Sequence, residues 1–597
     1  MENQRNIILA VLLTALVLFG WDAGVGYFYP QSKTPTQVVQ NGGADKAVSP
    51  IKPTREGGLR DAAEVQLEQQ DLKTALASSG RVPIVAPGVS GSINLKGAIL
   101  DDLVLNRHRE TVKKDSGPVR IYSPAGTPAQ QFAQFGWVGD GVATPNATTV
   151  WTAPAGAKLT PQTPVTLTAQ NGAGQTFAIT FAIDNDYLIT ATQRVANRGS
   201  AAVTVQPFGL LNRTSKTASL NSWNVHSGPI GAFDGSVDFS VSYDGSGCFF
   251  FMSCTDLSKQ GVLTKEANAS WIGFTDVYWM SAIAPVDAKA AGTFRSLGNS
   301  LFRSDLVYDK ALVQPGQQLA RTTKLFAGAK EHSVLDRYED GGITNFGLSI
   351  DWGWFRWFEK PIFWLLTSLF RLVGNFGVAI ILLTVIVRGI MFPVAQRQFA
   401  SMAAMRAIQP KMKAIQERYK DDKQTQQQKI MELYKQEKVN PLAGCLPVFL
   451  QIPVFFALYK TLMLAIEMRH QPFVLWIKDL SAPDPLHILN LFGLLPFDPP
   501  SFLGIGVLAV ILGITMFLQF KLNPAQGDPA QQQVMMLMPW FMMFVMAPFA
   551  AGLLIYWCTS NLLTIAQQKF LYSRHPGLKA QAEKDAANKK RAVAAKG

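Results

Sequence analysis

The sequence of 597 residues holds only four cysteines and six histidines, and neither set is arranged for chemistry. Cys248 and Cys254 stand in a polar region, and Cys445 and Cys558 fall in or beside apolar runs. A bridge between Cys248 and Cys254 needs a tight chain reversal, because on one strand they would stand ~20 Å apart. The histidines, at 108, 226, 332, 470, 487 and 575, are scattered. No HExxH, zinc-knuckle spacing or GxSxG elbow occurs, which removes the usual footholds of zinc and serine hydrolases. No Walker A loop is present, so the chain need not hydrolyse nucleotide. No carboxylate pair suggests glycoside cleavage, and no repeat of fixed period is found. The formal charge of +13 comes without an aromatic-basic RNA motif, so no specific nucleic acid partner is expected. No cofactor, metal or enzymatic activity is expected either.

The most informative scarcity is of acid within the apolar runs of the last 240 or so residues, which are membrane-like. The run Gly374–Pro393 is long enough to cross a bilayer, at roughly 20 residues for about 30 Å. Arg388 sits inside it, at an insertion cost of about 2.5–3.5 kcal/mol for a mid-helix arginine. Thr384, Ile381 and Gly377 share its helix face. No neighbouring apolar run supplies a carboxylate; Glu467 and Asp479 stand at or beyond an outer end. An unpaired arginine in a bundle needs water or an incoming anion, so a hydrated pocket is expected around Arg388. Gln451, Tyr556, Ser560 and Asn561 are the other polar candidates; Tyr556 and Ser560 share one helix face, as do Trp557 and Asn561. The competing reading of Gln451 and Asn561 is hydrogen bonding from helix to helix. Met535, Met536, Met538, Met542, Met543 and Met546 crowd one run, either as lipid-facing filler or as a soft wall for varied apolar partners.

Taken in order, residues 1–29 read as an uncleaved membrane anchor with Trp21, Tyr27 and Tyr29 at its interface. Residues 30–80 read as a linker, with a short helix in Leu59–Leu76. Residues 81–335 alternate as strands. Val165–Ala169 and Thr176–Phe181 flank the turn signal Asn171-Gly172; Tyr187–Val195, Val203–Pro207, Asp238–Tyr243, Trp271–Ile283 and Leu312–Leu325 (around Pro315-Gly316) extend the series. A large β-sandwich is expected. Asp184-Asn185-Asp186 reads as a turn in preference to a metal site.

Residues 352–372 fit an amphipathic helix lying in the membrane interface. Residues 373–572 form a core of five spans. Within it, 395–440 is a basic helical hairpin striped by Met402, Met405, Ile408, Met412, Ile415 and Tyr419, then Ile430, Leu433 and Tyr434. Pro410 kinks or restarts its first helix, and Asp421-Asp422-Lys423 makes its turn. The later spans are Leu442–Ile466, Phe502–Phe520, Val534–Met546 and Leu553–Ile565, and 573–597 is a basic tail. The loop charges agree with six membrane helices, both termini and the hairpin cytoplasmic, and residues 30–360 outside. The fold class expected is a multi-pass α-helical membrane protein with a large outer β-sandwich.

Five runs closely resemble the YidC membrane protein insertase family: Val387-Arg-Gly-Ile-Met-Phe-Pro393, Met405-Arg-x-x-Gln-Pro-Lys411, Tyr434-Lys-x-Glu-Lys-Val-Asn-Pro441, Phe473-Val-Leu-Trp-Ile-Lys-Asp-Leu-Ser481 and Ser560-Asn-Leu-Leu-Thr564. The resemblance covers essentially the whole chain, in the Gram-negative form whose β domain is periplasmic. It implies a bacterial inner-membrane protein with a groove open to cytosol and lipid and closed outside, Arg388 at its floor. It implies insertion of nascent membrane proteins, alone or beside the Sec translocon and its accessory subunits. It also implies a required cytoplasmic hairpin and a basic tail engaging ribosomes delivered along the signal recognition particle pathway. Trp557 departs from the second tyrosine frequent in the family, and Leu491–Ser501 is an extra insertion without an assigned role. A transporter or channel would instead predict inverted repeats and paired intramembrane charges. A tethered sugar-binding sandwich would need only one span.

Overall fold

The computed structural model describes residues 36–39, 71–77, 80–113, 115–219, 225–245, 254–353, 356–420, 422–437, 446–492, 494–495, 504–522 and 529–574. The expected anchor at 1–29, most of the linker, most of the 491–501 insertion and the basic tail lie outside them. The chain divides into two units, Met1–Trp354 with Leu464–Ile466, and Phe355–Met463 with Glu467–Gly597.

Strict alternation builds the first unit. Val165–Gln170 and Gln175–Ile183 bury every other side chain and pair antiparallel, Val165 opposite Phe181. Their connection is an Asx turn: the Asn171 carboxamide oxygen accepts from the amides of Ala173 at 3.0 Å and Gln175 at 3.2 Å. Gly172 and Gly174 take the positive φ values there.

Two antiparallel sheets result. One runs through Arg81–Val85, Val89–Asn94, Ile99–Arg109, Gln131–Asp140, Val203–Thr214, Leu301–Tyr308, Ala290–Gly298 and Val262–Thr275. The other runs through Val165–Gln170, Gln175–Ile183, Leu188–Asn197, Gln318–Ala329, Trp279–Pro285, Val262–Thr275 and Gly228–Phe233. Val262–Thr275 belongs to both, changing partners across an irregularity between Thr264 and Asn268. The sheets pack face to face through Phe135 against Phe181, centroids 6.1 Å apart, and Trp137 against Phe177 at 5.2 Å. These four rings are essentially inaccessible to solvent. The sandwich expected from alternation is therefore the architecture of this unit.

Two local readings need correction. Trp271–Ile283 is not one strand; it turns at Asp276, whose carboxylate accepts from Arg213 at 2.6 Å, the Ser219 amide at 3.0 Å and the Ser227 hydroxyl at 3.1 Å. Asp238–Tyr243 splits into Ser236–Asp238 and Val241–Ser242, because Asp238 caps the Ser240 amide and pairs with Lys265. Leu312–Leu325 reads as expected, with Ala311–Val313 and Gln318–Ala329 on either side of the turn at Gly316, which takes positive φ. Asp184 does close a turn, accepting from the amides of Asp186 and Leu188, and Tyr338 of helix α1 (His332–Asp340) donates to its carboxylate at 2.6 Å. Cys254 is disulfide-bonded, and its partner lies outside the described residues.

The second unit is helical. Helix α2 (Arg356–Val373) buries Ile362, Phe363 and Leu366 and exposes Trp357 and Trp364, two turns apart on one face. Gly374 at positive φ ends it, and the Asn375 side chain accepts the Val378 amide to start α3 (Phe376–Ile390). The run Gly374–Pro393 is thus not one element. Pro393 opens the next helix, α4 (Phe392–Arg418), where its missing amide is harmless, and α3 keeps 15 residues. At 1.5 Å per residue α3 rises about 22 Å.

Helix α4 continues through Pro410, so that proline does not restart it. Asp422 caps α5 (Lys423–Gln436) by accepting the amides of Gln424 and Thr425, each at 3.1 Å. The two helices close on the expected stripe: Ile408, Met412 and Leu433 are buried, Tyr434 reaches the Met412 sulfur at 3.3 Å, and Lys411 pairs with Glu437. Helices α6 (Leu446–Leu464), α7 (Val507–Leu522), α8 (Pro529–Met546) and α9 (Ala551–Arg574) complete the unit. Among the described residues no helix is long and apolar enough to cross a membrane.

One consequence concerns the buried pair Arg213–Asp276. Burial pushes the Asp276 carboxyl up, but Arg213 and the Ser219 hydrogen bonds outweigh it and hold the group below its ordinary 3.8. A carboxyl depressed on folding stabilises the fold above its unfolded pKa, and this stability is lost as pH falls through the folded value. Asp276→Asn should cost about 3–5 kcal/mol at neutral pH, because Arg213 keeps its buried charge without the counter-charge. It should also remove acid sensitivity below pH 3.8. Denaturant midpoints followed by tryptophan fluorescence at pH 7 and in acid check both; unchanged midpoints at both would contradict the assignment.

Candidate functional site

The relative directions of the helices come from their contacts. Ile380 of α3 lies against Gly552 of α9, and Arg388 reaches Ser560, so α3 and α9 run parallel. On α6, Leu462 lies against Gly552, Gln451 donates to Tyr556, and Phe455 meets Trp557 edge-on at 5.2 Å, so α6 runs antiparallel to α9. Cys558 approaches the Leu508 carbonyl and Asn561 donates to Thr515 at 3.1 Å, which makes α7 parallel to α9. Gly513 against Met543, with Phe517 against Trp540 at 5.9 Å, sets α8 antiparallel to α7.

One end of this bundle is closed tightly. Gly377 leaves room for the Phe473 ring, which any side chain at 377 would strike. Asn375 donates to the Phe473 carbonyl at 3.1 Å, and the amides of Ala551 and Gly552 donate to the carbonyls of Ala482 and Leu480. Asp484, fully buried, accepts the indole NH of Trp476 at 2.9 Å and the Leu508 amide at 2.8 Å, capping α7 from a distant loop. Arg388 stands 11 residues beyond Gly377, in the last turn of α3.

Four of the expected site residues meet there. The half-buried Arg388 donates to the Ser560 hydroxyl, and Gln451 donates to the Tyr556 hydroxyl one turn away on α9. Tyr556 and Ser560 stand one turn apart on one face of α9, so Gln451, Tyr556, Ser560 and Arg388 line one polar strip across α6, α9 and α3. Among the described residues no carboxylate lies in ion-pair reach of Arg388. A guanidinium offers five donors, and a serine hydroxyl answers one and carries no charge.

The remaining candidates fall elsewhere. Thr384 is buried and spends its hydroxyl on the Ile380 carbonyl at 2.7 Å, within its own helix. Asn561 is buried against Thr515, the helix-to-helix role. Trp557 is half-buried beside Phe455. On α8 the side chain of Met535 lies outside the described residues. Met538 is exposed beside Leu537, Phe541 and Phe544, Met542 and Met543 are half-buried, and Met546 is buried. Three polar groups escaped the pattern reading: Thr515, Lys460 and Asp484. A hydroxyl or charge inside an apolar run marks Thr515 and Lys460, and a lone carboxylate between two prolines marks Asp484.

The first unit carries a cleft of about 470 Å³, with Trp279, Met280, Val119 and Ile121 over the Arg213–Asp276 pair. The two charges of that pair answer each other.

The chain matches the 60Kd inner membrane protein family over residues 368–579 and the YidC periplasmic domain over residues 81–365. It is 45% identical over 577 residues to the membrane protein insertase YidC of Zymomonas mobilis, covering 96% of each chain. It is 41% identical over 598 residues to that of Rhizobium etli, again covering 96% of both. A crystal structure of an active YidC insertase with its first transmembrane domain aligns at 17% identity over 83% of this chain and 95% of that one. Its TM-score is 0.34, a likeness too loose to carry any part of the argument. The double match of two family regions and full-length relatives defines an inner-membrane protein with a periplasmic domain. The chain belongs to the YidC family of membrane protein insertases.

The closed end yields a packing prediction. Gly377→Val should destabilise the bundle by about 1–3 kcal/mol, the usual cost of overpacking, and Phe473→Ala should recover part of that loss in the double variant. Thermal unfolding in detergent reads both; additive losses would show that the two positions do not touch.

Proposed function

We propose that this insertase works through the recess around Arg388. The guanidinium draws the acidic residues of a client's short translocated segment, while the client's apolar helix slides out along the α8 face built on Met538, Leu537, Phe541 and Phe544. The observation that carries the reading is a half-buried arginine whose hydrogen-bond partner is a neutral hydroxyl, with no carboxylate in reach among the described residues. Inside a bundle such a charge favours an anionic visitor. The tight end at Phe473–Gly377 and Leu480–Gly552 suits the outer seal that stops the recess from becoming a pore.

The topology belongs to the same proposal. Six spans place both termini and the α4–α5 hairpin in the cytoplasm and residues 30–360 in the periplasm. Support comes from the basic residues of the hairpin and from the helix directions: α3, α7 and α9 run one way, α6 and α8 the other. The short α3 suits a locally shortened crossing. Nascent membrane proteins are the clients, reached alone or beside the Sec translocon, with ribosomes met by the hairpin and the basic tail.

Purified chain in proteoliposomes, given a single-span client with an acidic translocated tail, tests this. Arg388→Ala should cut insertion about tenfold or more, since two charges 4 Å apart exchange about 4 kcal/mol at an effective dielectric near 20. Arg388→Lys should retain most activity if charge dominates and lose it if the planar fork matters. Equal insertion with Arg388→Ala and the unaltered chain would sink the proposal.

A further inference from the structure

The polar strip assigns Ser560 a task beyond lining the recess. We infer that Ser560 is the resting partner of Arg388: it holds the guanidinium in place without neutralising it and yields that place to a client carboxylate. The inference rests on the Arg388 reading above and deepens it.

The geometry supplies three supports. First, the Ser560 side chain is nearly fully buried and receives a donor of Arg388 from the neighbouring helix. Second, Ser560 is itself fixed. It is carried on the continuous backbone of α9, one turn beyond Tyr556, which accepts from Gln451. The hydroxyl therefore faces the gap between α3 and α9, where Arg388 meets it. Third, the partner is chemically weak. A charged acceptor makes a hydrogen bond to guanidinium roughly twice as strong as a neutral one does, and a carboxylate takes two donors of the planar fork at once. A client aspartate or glutamate therefore outcompetes the serine. A resident carboxylate at this position would not be outcompeted. Serine is short, uncharged and hydrogen-bonding, which meets the two demands of orientation and vacancy together. The role is one of positioning and selection: Ser560 acts on the client through Arg388.

The test uses the full chain in proteoliposomes and two single-span clients that differ only in Asp and Glu, or Asn and Gln, within the translocated tail. The readout is the ratio of acidic to neutral client inserted, which a partly misfolded preparation leaves unmoved. Ser560→Asp should lower that ratio about tenfold by occupying the guanidinium from within, as a buried ion pair does. Ser560→Ala should lower it about threefold through lost orientation, and Ser560→Thr, which keeps the hydroxyl, should restore it. An unchanged ratio in Ser560→Asp, or equal ratios in the alanine and threonine variants, overturns the inference. Arg388→Ala separates the levels. If it leaves the ratio untouched, the reading of Arg388 itself fails. If it abolishes the preference while the Ser560 variants do not, only the assignment of Ser560 fails.

Discussion

A guanidinium whose hydrogen-bond partner among the described residues is a neutral hydroxyl sets the constraints on the helical unit. On the proposed reading, the charge avoids the penalty of several kcal/mol for facing acyl chains by standing in a recess of the bundle. The same charge must stay unneutralised to be of use, so the helices around it offer hydroxyls and amides. Gln451, Tyr556 and Ser560 do this from two helices: Gln451 donates to Tyr556, and Ser560 takes the guanidinium. On the proposed reading, these neutral groups support Arg388 without neutralising it.

On that reading, the rest of the unit keeps the recess one-sided. Where α3 begins, packing is close: the ring of Phe473 occupies the space that glycine leaves at 377, and loop carbonyls pin the start of α9. Asp484 contributes from further away, its buried carboxylate set on the amide end of α7, where a negative charge is stabilised. Where α3 ends, Pro393 starts a new helix at once, so the apolar element is short and the basic hairpin follows directly. Close packing and the polar cluster thus stand at opposite ends of one 15-residue helix.

How much of this was legible depended on range. Features with a local period were plain. The alternation of Val165–Ala169 gave a strand, the three-to-four spacing of Ile408 and Met412 gave the hairpin stripe, and Asn171-Gly172 gave its turn. The family motifs carried the identity. Pairings between distant elements left no such trace. Asn561 finds Thr515 and Gln451 finds Tyr556 because helices cross there, and neither the crossing nor the partner has a spacing to read. The strand expected over Trp271–Ile283 failed for the same reason: the residue that breaks it, Asp276, is drawn out by Arg213, 63 positions away. Arg388 itself was visible as a charge out of place. That Thr384, on the same face, spends its hydroxyl on its own helix was not.

The most direct measurement is site-specific photocrosslinking of a stalled nascent chain whose translocated tail carries acidic residues. Probes would stand at Gln451 and Ser560, in the recess, and at Val385 and Ile386, on the exposed apolar side of α3. The account predicts crosslinks from the acidic tail to Gln451 and Ser560 and not to Val385 or Ile386, lost when the tail is made neutral. Equal crosslinking on both sides of α3, or crosslinks indifferent to the tail's charge, would contradict it.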